Sequence, residues 1–270
     1  MSTPEAPIGV FDSGVGGLSV LREIRAALPA ENLLYVADSG AAPYGERTPA
    51  FIQARASAIV EFFLEHRVKA IVVACNTATA VAIRALRSSY PVPMVAIEPA
   101  VKPAAVLTRT GVIGILATSQ TLASDNFSRL AETHGQGARI LTQACPGWVE
   151  QVEKGELNNE LTQRLVAGDV EPLLAQQADT LVLGCTHFPF LAPLIRKVAG
   201  DAVAIIDPAQ AVARELRRRL AAGAILREGE DALEDRFWTS GDPDTVTAVV
   251  ARLWGSAVAV QALPARFSAG

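Results

Sequence analysis

Apolar runs without polar interruptions recur along the chain and are separated by longer segments with helical spacing. Positions 8–11, 33–37, 70–74 and 111–116 each hold contiguous apolar residues. Such runs are typical of parallel strands buried on both faces, whereas strands with one solvated face alternate apolar and polar residues. Strands that alternate with helices through short connections predict an α/β fold with mainly parallel sheets flanked by helices.

The order of these predicted elements repeats, which indicates two similar lobes. We assign residues 1–97 plus 209–270 to the first α/β lobe and residues 98–208 to the second. Predicted strands near 236–239 and 258–261 return to the first lobe and complete its sheet. Because no low-complexity segment or long linker separates the halves, we expect them to pack closely around a cleft.

Two cysteines occupy matching places in this repeat. Cys75 and Cys185 each end an apolar run, and each is followed by residues that commonly cap helices, which are Asn76, Thr77 and Thr186. Each thiol should therefore lie between the carboxyl end of a strand and the amino end of a helix. Open α/β sheets bind ligands at that edge. The sequence thus predicts that both thiols face a ligand-binding cleft.

The composition argues against several classes of protein. The 270 residues are 50% hydrophobic with a net charge of −4, so a large core is expected and nucleic-acid binding is not. No window approaches the roughly 20 uninterrupted apolar residues of a membrane span, and the first residues lack a signal-peptide pattern. Three cysteines, an odd number, do not suggest a disulfide framework. We expect a cytoplasmic protein with reduced thiols and no membrane partner.

The paired thiols admit several interpretations. Both are candidates for ordinary core residues, because cysteine is often buried. Zinc needs three or four ligands, and the chain has no CxxC or HxxxH spacing, so no metal is predicted. A redox pair fits poorly with a reducing compartment. Nucleophilic catalysis by one cysteine would not explain why a second cysteine occupies the matching position.

Proton transfer explains why there are two thiols. Inverting a stereocentre requires a base that removes a proton from one face and an acid that returns one to the other. A free thiol has a pKa of about 8.5, and a helix amino terminus lowers it, so a thiol can serve as base or acid. The residues alone therefore favour a two-base isomerase whose active site lies in the cleft, with a pair of buried structural cysteines as the alternative.

Three further residues are candidates for supporting roles. The loop at positions 12–17 lacks the nucleotide-binding patterns, but its glycines leave backbone N–H groups that can bind an anion. Asp12 is a candidate to orient a thiol, to bind a substrate ammonium or to cap the first helix. His187 follows Cys185 closely enough to assist its deprotonation, or it is simply solvated. Glu153 lies in a charged stretch that is typical of an exposed helix face.

Four motifs, at positions 11–20, 42–45, 74–77 and 183–187, together resemble those of the glutamate racemases. These enzymes belong to the cofactor-independent aspartate/glutamate racemase superfamily. The resemblance covers nearly the whole chain, with the motifs in the same order. It implies interconversion of L- and D-glutamate without a cofactor, and supply of D-glutamate to peptidoglycan. It also implies glutamate as the small-molecule partner and assembly as a homodimer.

The resemblance assigns roles to individual residues. Cys75 would act on the α-proton of D-glutamate, and Cys185 would act on that of L-glutamate. Asp12, His187 and Glu153 would be auxiliary catalytic groups that tune the thiols. The implied substrate-binding positions are Asp12, Ser13, Tyr44, Gly45, Asn76, Thr77, Thr118, Thr186 and His187.

The chain departs from the family pattern at Trp148 and Glu150, where smaller or aliphatic residues are expected. Two other functions stay open. A related racemase would act on aspartate or another acidic amino acid, because the sequence does not identify the donors for the side-chain carboxylate. A two-lobed binding protein would hold small anions in the same cleft without catalysis.

Overall fold

The computed structural model describes residues 3–135, 137–229 and 234–268. These residues form two parallel sheets, one of six strands and one of four, and helices flank both. The α/β prediction with two similar lobes is confirmed. No helix in the described ranges combines the length and the apolar character needed to cross a membrane.

The first sheet is built around a central strand that begins the fold. Its strand order is β10-β9-β2-β1-β3-β4, and every neighbouring pair runs parallel. Of the two late strands, β9 pairs with β2 and β10 pairs with β9, so the prediction that they complete this sheet is confirmed. The strands are β1 (Ile8–Asp12), β2 (Leu33–Ala37), β3 (Ala70–Val73), β4 (Met94–Ala96), β9 (Asp235–Thr239) and β10 (Val260–Ala262).

The second sheet repeats the same topology with fewer strands. Its order is β6-β5-β7-β8. This is the same arrangement as β2-β1-β3-β4 in the first sheet, with the second strand, then the first, the third and the fourth. Cys75 follows the third strand of one sheet and Cys185 follows the third strand of the other. The strands are β5 (Val112–Ala117), β6 (Arg139–Ala144), β7 (Thr180–Gly184) and β8 (Ala204–Ile206).

Helices cover the sheets because successive strand residues point to opposite faces. In β1, Val10 packs in one buried cluster and Phe11 in another. The first of these clusters also includes Leu116 and Leu183 of the second sheet, so the two lobes share a continuous core. The helices are α1 (Leu18–Ala27), α2 (Pro49–Glu65), α3 (Asn76–Ser89), α4 (Val101–Leu107), α5 (Ser119–Leu122), α6 (Asp125–His134), α7 (Trp148–Glu153), α8 (Glu160–Ala175), α9 (Ala192–Ala199), α10 (Ala209–Ala222), α11 (Pro243–Trp254) and α12 (Ala265–Ser268).

The expected caps at the two thiol loops are wrong. Asn76 is already inside α3, and the residue at the cap is Cys75, whose sulfur accepts a hydrogen bond from the backbone N–H of Ala78 at 3.4 Å. After β7 the chain forms a 3₁₀ helix, Phe188–Leu191, and Thr186 does not cap it. Thr186 instead donates its hydroxyl hydrogen bond across the lobes, as described below.

Candidate active site

The site residues gather where the carboxyl ends of β1 and β3 meet those of β5 and β7. Asp12 is the last residue of β1, and Cys75 lies two residues beyond β3. Thr118 follows β5, and Cys185 follows β7 directly. Parallel strands present their carboxyl ends at one sheet edge, so the two topologically matching sheets face each other with matching loops.

The carboxyl group of Asp12 lies between the two thiol-bearing loops. It lies close to the Cys75 thiol on one side and accepts a 3.3 Å hydrogen bond from the Thr186 hydroxyl on the other. Its Oδ2 accepts from the backbone N–H of Gly17 at 2.9 Å and lies 4.0 Å from His187 Nδ1. Complete burial raises the pKa of Asp12 to about 6, against the opposing influence of the His187 charge.

Cys75 is buried beside a carboxyl and a hydroxyl group. Its side chain is only 3% exposed, and its sulfur lies 3.6 Å from the Ser13 hydroxyl. Burial first, and then the nearby Asp12 carboxylate, raises the pKa of the Cys75 thiol far above its usual range. Cys185 adds to the same effect, so the two sulfurs are within electrostatic reach of each other. At neutral pH Cys75 therefore carries its proton.

Cys185 has a different partner, an imidazole. Its sulfur lies 3.7 Å from Nδ1 of His187, and Nε2 of the same ring lies 2.6 Å from Glu153 Oε1. Burial opposes protonation of His187, but its hydrogen bonds to Cys185 and Glu153 raise its pKa well above the usual value. The ring is therefore a buried cation that links one thiol to one carboxylate.

Glu153 joins the two lobes rather than facing solvent as an ordinary charged helix residue. Its Oε1 accepts a 2.7 Å hydrogen bond from the backbone N–H of Val15, and its Oε2 accepts one from the Ser39 hydroxyl at 3.2 Å. The carboxylate thus contacts the glycine-rich loop and the loop after β2. The interpretation of Glu153 as an exposed residue is wrong, because these contacts come from residues more than a hundred positions away.

The unusual Trp148 fixes the helix that carries Glu153. It is fully buried at the start of α7 and packs on Phe188, with ring centroids 4.7 Å apart. Phe188 directly follows His187, so the two aromatic rings hold α7 against the Cys185 loop. The larger side chain at this position is therefore part of the core beneath the site.

The glycines of the 12–17 loop allow the lobes to meet. A Cβ atom at Gly14 would lie 1.9 Å from Glu153 Oε1, and one at Gly16 would lie 2.2 Å from His187 Nδ1. Tyr35 anchors the loop from below, because its buried hydroxyl donates a 2.7 Å hydrogen bond to the Gly14 carbonyl oxygen. The loop thus makes close backbone contact with the second lobe.

The remaining predicted residues line the same interface. The Thr77 hydroxyl lies 2.9 Å from that of Thr118 and 3.3 Å from that of Thr121, so three hydroxyls meet across the lobes. Both polar side-chain atoms of Asn76 are buried without a protein hydrogen-bond partner in the described ranges. Gly45 also contacts this region, because a Cβ atom there would lie 3.1 Å from Thr118 Cβ. The unpartnered amide of Asn76 is suited to hydrogen bond with a polar ligand.

The structure thus brings the predicted residues together at one interface. Ser39 and Thr121 also contact it, although sequence reasoning did not select them, since a serine or threonine in a loop carries no distinctive signal. The hydroxyl of Tyr44 donates its hydrogen bond to Asp38. Among the described residues, no group of three or more histidine, cysteine, aspartate or glutamate side chains is arranged to hold a metal ion.

The fold and site together define a class of protein, in which two topologically matching parallel α/β lobes each present one cysteine at a shared interface. The family model for Asp/Glu/hydantoin racemases matches residues 8–216 of the chain. A glutamate racemase of Methylococcus capsulatus is 52% identical over 270 residues, covering 100% of both chains. One from Stutzerimonas stutzeri is 51% identical over 265 residues, covering 98% of this chain and 100% of the relative.

Solved structures agree with the sequence comparison. The crystal structure of a glutamate racemase isoform from Bacillus anthracis superposes with a TM-score of 0.89 at 34% identity, covering 97% of this chain and 99% of that one. The chain belongs to the Asp/Glu/hydantoin racemase family.

Proposed function

We propose that the chain is a glutamate racemase, which interconverts L- and D-glutamate without a cofactor by proton transfer between two thiols. One observation carries the proposal, namely that the Asp12 carboxyl group lies close to the Cys75 thiol and accepts a hydrogen bond from Thr186 in the Cys185 loop. The curated relatives, at about half identity over their full length, are named glutamate racemases. In the cell the reaction supplies D-glutamate for peptidoglycan.

The two thiols start the reaction from different states. Cys75 holds its proton, whereas Cys185 lies beside the positively charged ring of His187. With L-glutamate bound, the Cys185 sulfur takes the α-proton, and Cys75 delivers its own proton to the opposite face of Cα. The product is D-glutamate, and the proton now lies on Cys185. In the reverse reaction, Cys75 removes the α-proton of D-glutamate and Cys185 returns its proton to the opposite face. No further group is needed.

Removing an α-proton without an electron-accepting cofactor requires strong electrostatic help. The orphaned Asn76 amide, the Thr77 and Thr186 hydroxyls and the amino end of α3 are the donors for the α-carboxylate. Ser13, the Tyr44–Gly45 backbone and Thr118 complete the substrate site. Closing the lobes expels water and strengthens each of these interactions.

Substrate must enter between the lobes, since both thiols are more than nine-tenths buried. Entry breaks the polar contacts that cross the interface, which include Thr77 with Thr118 and Glu153 with Val15. These contacts reform on closure around glutamate. The lobes have the boundaries 1–97 plus 209–270 and 98–208, and the enzyme acts in the cytoplasm as a homodimer.

The alternative substrate, aspartate, is one methylene shorter than glutamate. A hydrophobic pocket discriminates a single methylene only about 10- to 200-fold, so weak aspartate turnover would not contradict the proposal. The full-length relatives named glutamate racemases favour glutamate. A binding protein without catalysis has no use for two buried thiols, one beside the Asp12 carboxyl group and the other beside the His187 imidazole.

The test compares three cysteine variants in a racemisation assay with L-glutamate and no added cofactor. We expect Cys75→Ser and Cys185→Ser to lose more than about a hundredfold in kcat/KM, since a serine hydroxyl is a far weaker acid than a thiol and does not ionise near neutral pH to act as a base. Cys145→Ser is the matched control, because Cys145 is also buried near the site but has no role in proton transfer. Binding of glutamate without racemisation by the wild type would support the binding protein instead.

A further inference from the structure

A buried ion pair lies behind the substrate loop of the first lobe. The guanidinium of Arg55, on α2, donates from Nη2 to Asp38 Oδ1 at 2.7 Å and from Nε to Asp38 Oδ2 at 3.0 Å. The side chains are 2% and 0% exposed. The pair is bidentate and almost completely removed from solvent, a geometry that fixes both groups in orientation.

The same carboxylate holds the hydroxyl of Tyr44. That hydroxyl donates to Asp38 Oδ2 at 2.5 Å. Burial, followed by the charge of Asp38, raises the pKa of Tyr44 well above its usual value, so the phenol remains a donor. The Tyr44 hydroxyl is therefore held by Asp38, while the backbone at Gly45 and Arg47 contacts the second lobe.

This backbone is a contact surface for the second lobe. Gly45 lies against Thr118, close enough that a Cβ atom would be 3.1 Å from Thr118 Cβ. The Gln120 side chain donates to the Arg47 carbonyl oxygen at 3.0 Å. A small displacement of the loop would therefore alter both the substrate contacts and the fit of the closed lobes.

Stability alone does not account for such a pair. Desolvating two charges offsets most of their attraction, so a buried ion pair contributes little more than well-packed apolar residues would. The pair does fix the orientation of the Arg55 guanidinium. Its Nη2 also donates to the Phe267 carbonyl oxygen of α12 at 2.8 Å. One side chain thus connects the substrate loop with a helix near the end of the chain.

We propose that Asp38 and Arg55 are positioning residues for racemisation, which set the Tyr44–Gly45 backbone in the geometry that binds substrate and meets the second lobe. The proposal rests on the racemase function proposed above. Asp38 and Arg55 act through Tyr44 and do not touch the reacting atoms.

The test measures KM and kcat separately for Asp38→Asn, Arg55→Lys and Tyr44→Phe. We expect Asp38→Asn to raise KM about tenfold while kcat changes less than about threefold, because the loop is misplaced but the thiols are intact. Tyr44→Phe should give a similar increase, and the double variant Asp38→Asn/Tyr44→Phe should be no worse than either alone. Arg55→Lys keeps the charge but not the bidentate fork, so its KM should lie between those of wild type and Asp38→Asn.

The matched control is a second buried ion pair at the opposite edge of the same sheet. Lys69 and Glu31 are 0% and 1% exposed and lie before β3 and β2, far from the site. Glu31→Gln should lower the midpoint of thermal unfolding with KM unchanged within about twofold, which is what a purely structural pair does.

Two outcomes would overturn the positioning role. One is a folded Asp38→Asn enzyme with the wild-type KM, and the other is additive effects of Asp38→Asn and Tyr44→Phe. If Asp38→Asn does not fold, a wild-type KM in both Arg55→Lys and Tyr44→Phe decides against it. A wild-type protein that does not racemise glutamate would instead contradict the proposed function, so the two failures are distinguishable.

Discussion

The two thiols differ in the groups that surround them, and this difference determines how the site works. Cys75 has a carboxyl and a hydroxyl group as neighbours, whereas Cys185 has an imidazole ring. The two thiols therefore meet the substrate from chemically different surroundings. Because enantiomers have equal free energies, kcat/KM must be equal in the two directions, and the asymmetry can appear only in kcat and KM taken separately.

Asp12 provides a test of this electrostatic account at the level of one residue. Its pKa is raised from 3.8 to about 6 in the folded protein, so the folded state binds its proton more tightly than the unfolded state. Ionised Asp12 therefore destabilises the fold as pH rises through the window from 3.8 to about 6. The free energy of unfolding of Asp12→Asn minus that of the wild type should therefore increase by about 2–3 kcal/mol between about pH 4 and pH 7, because only the wild type carries the buried charge.

Urea unfolding of both proteins at the two pH values measures this difference. Any lost hydrogen bond shifts the variant equally at both pH values, so only the change with pH reports the buried charge. A stability difference that is independent of pH would show that Asp12 is not held as a destabilising anion. Activity should fall in the same variant, since an amide cannot act as the charged neighbour of the thiols.

At the residue scale, sequence reasoning located the thiols and offered Asp12 and His187 as their partners. Cys75 and Cys185 were predictable because each ends an apolar strand, a signal contained within a few neighbouring residues. Glu153 and Tyr44 were not, because their environments depend on residues distant in sequence. The cap of α3 was missed for a chemical reason, since a cysteine sulfur rarely serves as the acceptor there.

Between elements, the decisive contact is that of the glycine-rich loop with α7 and the Cys185 loop. The loop lies between β1 and α1 and packs against the second lobe, so an added side chain would clash with that lobe. Gly16 does not have a positive φ, so alanine is acceptable to the backbone there. What excludes alanine is the His187 ring on the opposite lobe.

We predict that Gly16→Ala folds but loses at least about a hundredfold in kcat/KM, because its methyl group displaces the ring that pairs with Cys185. Steady-state racemisation together with a far-ultraviolet circular dichroism spectrum measures both quantities. Gly168→Ala is the control, since a Cβ atom in that exposed turn of α8 meets nothing within 4 Å. It should leave activity unchanged and stabilise the protein by about 0.5–1 kcal/mol. Normal activity in Gly16→Ala would show that the Gly16 backbone does not lie against the His187 ring in the active enzyme.

The order of elements could be predicted because parallel strands buried on both faces have an unmistakable apolar pattern. The apolar runs at 8–11, 33–37 and 70–74 correspond to β1, β2 and β3, and the return of the late strands to the first sheet was expected as well. The helical pattern of residues 119–134 predicts one helix after β5, but the structure has two, α5 and α6, with Ser124 capping the second. The break follows from a side-chain cap within an otherwise helical pattern, where local propensity is ambiguous.

At the scale of the whole molecule, the site exists only when the lobes are closed. Each lobe contributes one thiol, and groups such as Glu153 and Thr186 have their partners on the other lobe. A shared apolar core joins the lobes beneath the site, while the interface at the strand ends is polar. Polar contacts exchange readily with water and glutamate, so opening is expected at the strand ends and not in the core.

The central claim is that two thiols act on opposite faces of one carbon atom, and isotope exchange in D₂O tests it most directly. L-glutamate and D-glutamate are each incubated with the enzyme, and the α-position of substrate and product is followed by proton NMR during the first turnovers. The account predicts that product carries deuterium at Cα while unreacted substrate keeps its proton, in both directions. Product that retains the proton of the substrate would mean that a single base serves both faces, and would contradict the account.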